Sequence, residues 1–159
     1  MRSTACLLVL LGVLTGACAP KVDLTKGLQV GSLTTGWYDA GLVNGQNKLV
    51  PAVSFTLKNV SDQRLNTLQV NALFRRVSEK DEWGSGFMTA AGSSGLAPGA
   101  QSGPIAIRSN LGYTGTEPRQ QMLQNSHFVD AKVELFAKYG SGQWTRLGEY
   151  PIARQLLTQ

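Results

Sequence analysis

The chain has 159 residues, of which 42% are hydrophobic and 16% charged, and its formal net charge at pH 7 is +5. This length suits a single domain with a core of its own. The basic residues are scattered along the chain, whereas nucleic-acid binding needs them gathered in a stripe, so we expect no nucleic-acid partner.

The N-terminal segment has the three parts of a secretory signal. Arg2 precedes an apolar run from Ala5 to Leu14, and small residues follow that run. The run is shorter than the ~20 apolar residues that span a bilayer. An uncleaved anchor is the alternative, because no residue from Ser3 to Pro20 is charged. We expect a signal peptide at residues 1–17.

Two cleavage positions compete at the end of this segment. Ala17-Cys18-Ala19 fits ordinary signal cleavage, although the cut would fall directly before a proline. Cutting before Cys18 leaves Leu14-Thr15-Gly16-Ala17, which resembles the lipobox of bacterial lipoproteins, with Thr15 where leucine is more usual. The resemblance implies a diacylglycerol on the Cys18 sulfur and an acyl chain on the new N-terminus, so that the membrane is a partner through lipid. Because Ala19 and not Asp follows the cysteine, the resemblance further implies an outer-membrane location facing the periplasm.

Removal of 17 of the 159 residues leaves 142, and Cys6 leaves with the signal. With Cys18 acylated, the mature domain has neither a free thiol nor a disulfide and depends on burial alone. Pro20 and the charges that follow it indicate a tether with little structure. We therefore expect a lipidated cysteine and tether at residues 18–26 and a folded domain at residues 27–159.

From Leu28 onward, alternation of polar and apolar residues predicts β-strands. The predicted strands cover residues 28–37, 50–58, 68–77, 87–91, 103–108, 128–139 and 144–150. About seven strands at this spacing, each with one polar face, predict an all-β antiparallel sandwich. Pro118 and the helix formers after it predict one short helix within residues 116–125, bridging the two sheets.

The alternation also predicts which side chains face the core. They are Val53, Phe55 and Leu57 in the second strand, Leu68, Val70, Ala72 and Phe74 in the third, and Val129, Ala131, Val133, Leu135, Ala137 and Tyr139 in the sixth.

Two stretches resemble a known family. VNALFRRVSEKDEW (residues 70–83) followed by GLAPGAQSGP (residues 95–104) is similar to the bacterial FxLYD type of immunoglobulin-like domain. The similarity covers residues 49–108, and Arg75 stands where that family usually has an acidic residue. It implies an immunoglobulin-like sandwich in an extracytoplasmic protein, and it implies no defined activity.

The sequence shows no motif of a metal, nucleotide or catalytic site. His127 is the only histidine, and the acids of residues 78–82 lack the spacing of a calcium loop, so we expect no metal site. No glycine-rich nucleotide loop and no G-x-S-x-G elbow are present, so we expect no cofactor. On a strand, His127 and Asp130 would point to opposite faces, which argues against a catalytic pair with Ser126.

The connection at residues 109–123 is the predicted binding region, since loops on a rigid sandwich commonly carry binding sites. Tyr113 and Arg119 are its candidate contact residues, and Trp83, next to the charged turn, is the best candidate among the tryptophans for an exposed contact. The alternative is that the Tyr113 side chain fills the end of the core and that Arg119 is an exposed helix residue with no binding role. Trp37 and Trp144 are expected on strands, capping the core.

These patterns together favour an exported lipoprotein of the bacterial cell envelope, acting as a non-catalytic binding or adaptor module with an envelope protein partner. Two alternatives stay open. One is a carrier of a lipid or another small ligand, which needs a large cavity between the sheets. The other is an envelope hydrolase, which needs convergent polar groups in a pocket.

Overall fold

A computed structural model describes residues 21–157, so the expected signal peptide and Cys18 lie outside the described residues. The chain forms an all-β sandwich of two antiparallel sheets. Its elements are α1 (Leu24–Gly27), β1 (Leu28–Val43), β2 (Gln46–Asn59), β3 (Leu68–Arg76), β4 (Gly84–Ala91), β5 (Ile105–Arg108), β6 (Tyr113–Gly115), α2 (Arg119–Gln124), β7 (Ala131–Tyr139) and β8 (Thr145–Pro151). Within residues 21–157, no helix is both long and apolar enough to cross a bilayer.

The first sheet is built on a long hairpin. β1 pairs with β2 over most of its length, and β2 also pairs with β5 and β6. Asn44 and Gly45 form the two-residue turn, with φ values of 51° and 77°. An Asn-Gly turn with two positive φ angles matches the twist of the flanking strands. The turn therefore extends β1 to Val43, beyond the predicted end at residue 37.

The second sheet has the strand order β4-β3-β7-β8, and its inner face packs on that of the first sheet. The predicted inward side chains of β2 and β3 are buried, as are those of β7 from Ala131 to Ala137. Val129 precedes β7 and is 37% exposed, so its predicted burial was wrong. Tyr139, at the last position of β7, is only partly buried.

One edge of the sandwich closes where β4 approaches β5. A Cβ atom placed on Gly86 would lie 2.4 Å from Ile107 Cγ2 and 2.6 Å from the carbonyl oxygen of Arg108. Only glycine lets the two strands come so near, because any side chain would occupy the same space.

The segment before β1 is part of the fold from residue 21 onward, which corrects the prediction of a tether with little structure up to residue 26. Asp23 caps α1 by accepting a hydrogen bond from the Thr25 amide at 3.0 Å. Leu24 is 3% exposed, and the Val22 amide donates to the Tyr139 hydroxyl at 2.6 Å. The predicted short helix is present as α2, and β6 raises the strand number to eight.

Candidate functional site

The sandwich has two ends, which carry different features. We call residues 21–27, 60–66 and 140–144 the strap end, because the N-terminal segment crosses the core there. Residues 44–45, 77–83 and 109–130 form the hairpin end. From Asn47 to Asn59, β2 spans ~40 Å at about 3.3 Å per residue, so the ends lie far apart.

A recess of about 280 Å³ lies at the hairpin end, within the connection that the sequence singles out. Its walls are Tyr113, Thr114, Gly115, Thr116, Glu117, Met122, Asn125, His127 and Phe128. We call it the 113–128 recess. β6 positions one wall by pairing Tyr113 with Leu49 and Gly115 with Asn47 of β2. α2 positions another, with Met122 buried against Gly115.

Hydrogen bonds hold the connection in shape. The Asn47 amide group donates to the carbonyl oxygen of Glu117 at 2.8 Å. The Asn125 side chain accepts from the backbone amide of His127 at 2.9 Å and donates to the Glu117 carboxylate at 3.3 Å. An Asn side chain that bonds the amide two residues on forms a local turn without further support. The rim of the recess is therefore anchored to β2 and to its own backbone.

An aromatic cluster of Trp37, Trp83, Tyr113 and Phe128 lies between the recess and the core. The ring centroids of Trp37 and Phe128 are 4.6 Å apart, those of Tyr113 and Phe128 4.7 Å, and those of Trp83 and Tyr113 4.9 Å. The first pair is edge-to-face and the other two are tilted, and such pairs contribute beyond their buried area, by about 0.5–1.5 kcal/mol each. Trp37 is fully buried, so the cluster joins the recess to the core.

Tyr113 presents a protonated hydroxyl at neutral pH. Burial raises the pKa of this hydroxyl above its ordinary value, although the positive charge of nearby Arg76 acts in the opposite direction. The hydroxyl donates to the carbonyl oxygen of Val129 at 3.1 Å. The apolar wall of Met122 and Phe128 thus meets a polar rim of carboxylate, amide and imidazole groups. This combination can bind a partly apolar group through contact and hydrogen bonds.

The residues predicted as contacts fall into different places. Tyr113 lines the recess and also packs into the aromatic cluster, so it closes the end of the core in part, and its role as a contact residue stays a prediction. Trp83 is half-buried against Tyr113, and the exposed tryptophan is instead Trp144, at 40%. Arg119 points to β1 and pairs with Asp39, with 2.5 Å between Nε and Oδ2. Cys18 lies outside the described residues.

Sequence reasoning missed Glu117, Met122, Asn125 and Phe128 as recess residues, and it assigned His127 no binding role. Asn125 two residues before His127 is a turn signal that could have placed the chain reversal after α2. His127 is exposed at the rim, and the Asp130 carboxylate lies 2.6 Å from Arg154 Nε. Among the residues from 21 to 157, no three His, Cys, Asp or Glu side chains are grouped so that they could hold a metal ion.

A second recess, of about 510 Å³, lies on the outer face of the first sheet. It is bordered by Tyr38 and Arg108 on one side and by Leu156 and Leu157 on the other. The Arg108 guanidinium stacks on the Tyr38 ring, 3.3 Å from its centroid. This recess is outside the core, whereas the space between the sheets is occupied by fully buried side chains such as Phe55 and Phe74.

No protein-family model and no curated protein matches the chain. Among solved structures, the chain is similar to the X-ray structure of Northeast Structural Genomics Consortium target SoR45, with 13% of residues identical. The alignment covers 82% of this chain and 89% of that chain, with a TM-score of 0.46. A likeness of this degree carries no functional inference.

Proposed function

We propose that the protein is a lipid-anchored, exported lipoprotein of the bacterial cell envelope. In this proposal, Cys18 carries the lipid and the sandwich acts as a non-catalytic binding module for an envelope protein. The observation that carries the proposal is the position of the 113–128 recess, at the opposite end of the sandwich from the point where the chain arrives from Cys18. A fixed recess ~40 Å along β2 from the strap end is well placed to meet partners beyond the headgroup layer.

In this proposal the lipid anchor strengthens binding at the recess by keeping the domain at the membrane. Two or more acyl chains hold a protein firmly, since each buried CH₂ contributes ~0.8 kcal/mol. Confinement at a membrane raises the effective concentration of the recess near membrane-bound partners, so weak contacts suffice. The absence of Asp after Cys18 favours the outer membrane, facing the periplasm.

The size and chemistry of the recess favour a protein partner. Its volume of about 280 Å³ is at the lower limit of pockets that enclose a small-molecule ligand, which run from ~300 Å³ upward. An inserted side chain or chain end from another protein would fill it. Apolar walls inside a polar rim, with aromatic rings beneath, are also the composition of interface hot spots.

The two alternative functions find less support. A lipid carrier needs an empty space between the sheets, where Phe55, Leu57, Phe74 and Leu135 are instead fully buried. A hydrolase needs a base next to a nucleophile and an orienting acid. Near His127, the structure offers Asp130 bound to Arg154 and Glu117 bound to Asn125.

The anchor is tested with Cys18→Ser. We expect the wild-type chain to fractionate with membranes and to have the mass of an acylated protein, and the variant to lose both properties. If wild type and variant share one unacylated mass and both stay in the membrane fraction, the lipid anchor is wrong.

The binding role is tested by photocrosslinking in living cells. A photoreactive residue at Thr114, exposed at the recess, should give one discrete protein adduct. The same residue at Thr89, which is exposed on β4 away from the recess, is the matched control. The adduct at position 114 should disappear with His127→Ala and Met122→Ala together. An adduct of equal yield at both positions would contradict a binding role for this recess.

A further inference from the structure

Positive charge is concentrated at the strap end. When the last two residues of β2 and of β7 are counted with it, this end holds five basic and two acidic side chains, which is a net charge of +3. The basic ones are Lys21, Lys26, Lys58, Arg64 and Lys138, and the acidic ones are Asp23 and Asp62. The rest of residues 21–157 holds nine basic and eight acidic side chains, a net charge of +1.

The positive charges at the strap end are not neutralised by ion pairs. The seven ion pairs found among residues 21–157 all use basic side chains from elsewhere in the sandwich. Lys21 and Lys26 are exposed, and Asp23 is engaged by Thr25. Asp23 also lies close enough to Lys26 for their charges to interact, and a net positive field remains at the strap end.

Exposed apolar side chains accompany this charge. Trp144 is 40% exposed at the turn between β7 and β8, and Val60 is 46% exposed at the turn after β2. The Lys138 ammonium group lies 4.9 Å from the centre of the Trp144 ring. Tryptophan and lysine side by side are typical of proteins at a membrane–water interface, where the ring lies at headgroup level.

The position of the anchor brings the strap end close to the lipid. Lys21 is three residues after Cys18, a span of at most ~11 Å. From there the chain is fixed, because the Val22 amide is bonded to Tyr139 and Leu24 is buried. An acylated Cys18 would thus hold Lys21 within about one Debye length of the headgroups, where screening is incomplete, and would turn the rest of the strap end toward the bilayer.

We propose that the strap end is a docking surface for anionic phospholipid headgroups. The basic side chains face the headgroup layer, Trp144 enters it, and the 113–128 recess points away from the bilayer. This inference rests on the proposed lipid anchor for its geometry. It adds that the domain stands upright on the membrane in a charge-dependent way and does not rotate freely about its anchor.

The test uses the protein isolated from its membranes, with its acylation established by mass, in phosphatidylcholine vesicles with no or 40% phosphatidylglycerol. Brominated acyl chains quench tryptophan at the interface, and Trp37 and Trp83 lie in the aromatic cluster at the far end. We expect phosphatidylglycerol to increase quenching, salt to reverse the increase, and Trp144→Phe to abolish it.

Two double variants with the same net charge separate a local effect from a general one. K21Q/K26Q removes charge at the strap end, and K48Q/K80Q removes as much elsewhere. Since each lysine near an anionic surface contributes about fivefold, K21Q/K26Q should shift the docking equilibrium ~25-fold and K48Q/K80Q should leave it near the wild type. Equal shifts in the two variants, or quenching that is the same with and without phosphatidylglycerol, would overturn the proposal of a docking surface.

Failure of the anchor gives a different result from failure of the docking surface. The mass of the isolated protein reports acylation independently of the vesicles. Unacylated Cys18→Ser protein should still show quenching that depends on phosphatidylglycerol, at higher lipid concentration. Acylated protein whose Trp144 emission is the same in both kinds of vesicle would refute the docking surface alone.

Discussion

The Arg154 side chain fixes the segment between α2 and β7, which forms part of the 113–128 recess. Removing this side chain tests how much its contacts stabilise that segment. Its Nη1 and Nη2 groups donate to the carbonyl oxygens of Leu123, at 3.1 Å, and Phe128, at 2.8 Å. Its Nε lies 2.6 Å from Asp130 Oδ1, and the guanidinium carbon is 5.2 Å from the centre of the Phe128 ring. One side chain near the C-terminus therefore clamps both the end of α2 and the entry to β7.

The magnitude follows from these contacts. The two hydrogen bonds to partly buried carbonyl oxygens contribute about 1 kcal/mol each. The ion pair with exposed Asp130 adds about 0–1 kcal/mol, and the contact with the Phe128 ring about 0.5–1 kcal/mol. Because one group makes all these contacts, their contributions overlap. We expect Arg154→Ala to lower the free energy of unfolding by about 2–3 kcal/mol.

Urea denaturation at an unchanged m-value measures this loss, and amide hydrogen exchange locates it. We expect faster exchange at residues 119–130 and little change in β3. Arg119→Ala is the matched control, since Arg119 makes one ion pair with a carboxylate that is 41% exposed, worth less than about 1 kcal/mol. If Arg154→Ala costs no more than Arg119→Ala, or if exchange at residues 119–130 is unaffected, the clamp is refuted.

Two further predictions concern buried or half-buried polar groups. Burial acts to raise the pKa of Glu134, but hydrogen bonds from Arg75 and Arg146 outweigh burial, so that the pKa is lowered. The stabilisation that these bonds give to the fold is therefore present above the ordinary glutamate pKa and is lost as the pH falls through the folded-state value. Glu134→Gln should therefore cost about 1 kcal/mol at pH 7 and much less near pH 3, and a cost independent of pH would contradict this. Asn59 is fully buried and donates to the carbonyl oxygens of Gln63 and Leu96 at 2.7 and 2.9 Å, so Asn59→Asp should lose about 3 kcal/mol or more in denaturant titrations. Asn110→Asp is its control, because the Asn110 side-chain oxygen accepts from the Ser85 amide and an aspartate can do the same.

The sheets of this protein are readable from its sequence because their signals are local. Alternation in β3 and β7 predicted which side chains reach the core, and Val70, Phe74, Val133 and Leu135 are all fully buried. Asn44-Gly45 is also a turn signal in the sequence, although the turn was not among the sequence-based predictions. The short helix α2 followed from Pro118 and the residues after it.

The candidate site was predicted only as a segment. Sequence placed it in the 109–123 connection and named Tyr113, but it could not separate Arg119, which turns toward Asp39, from the recess. Nor could it show that Trp83 packs against Tyr113 while Trp144 remains exposed. Each of these outcomes depends on which strand lies beside the residue, and no local pattern encodes that.

Period-two alternation, turn residues and the N-terminal pattern are properties of neighbouring residues, so the fold class and the expectation of a lipid anchor could be reached from the amino-acid order. The recess, the Arg154 clamp and the ordered strap arise from contacts between residues such as Val22 and Tyr139, 117 positions apart. Such pairs meet only once the two sheets have packed. Their energy belongs to the closed sandwich, and so only the tertiary structure placed a recess at one end and a positive surface at the other.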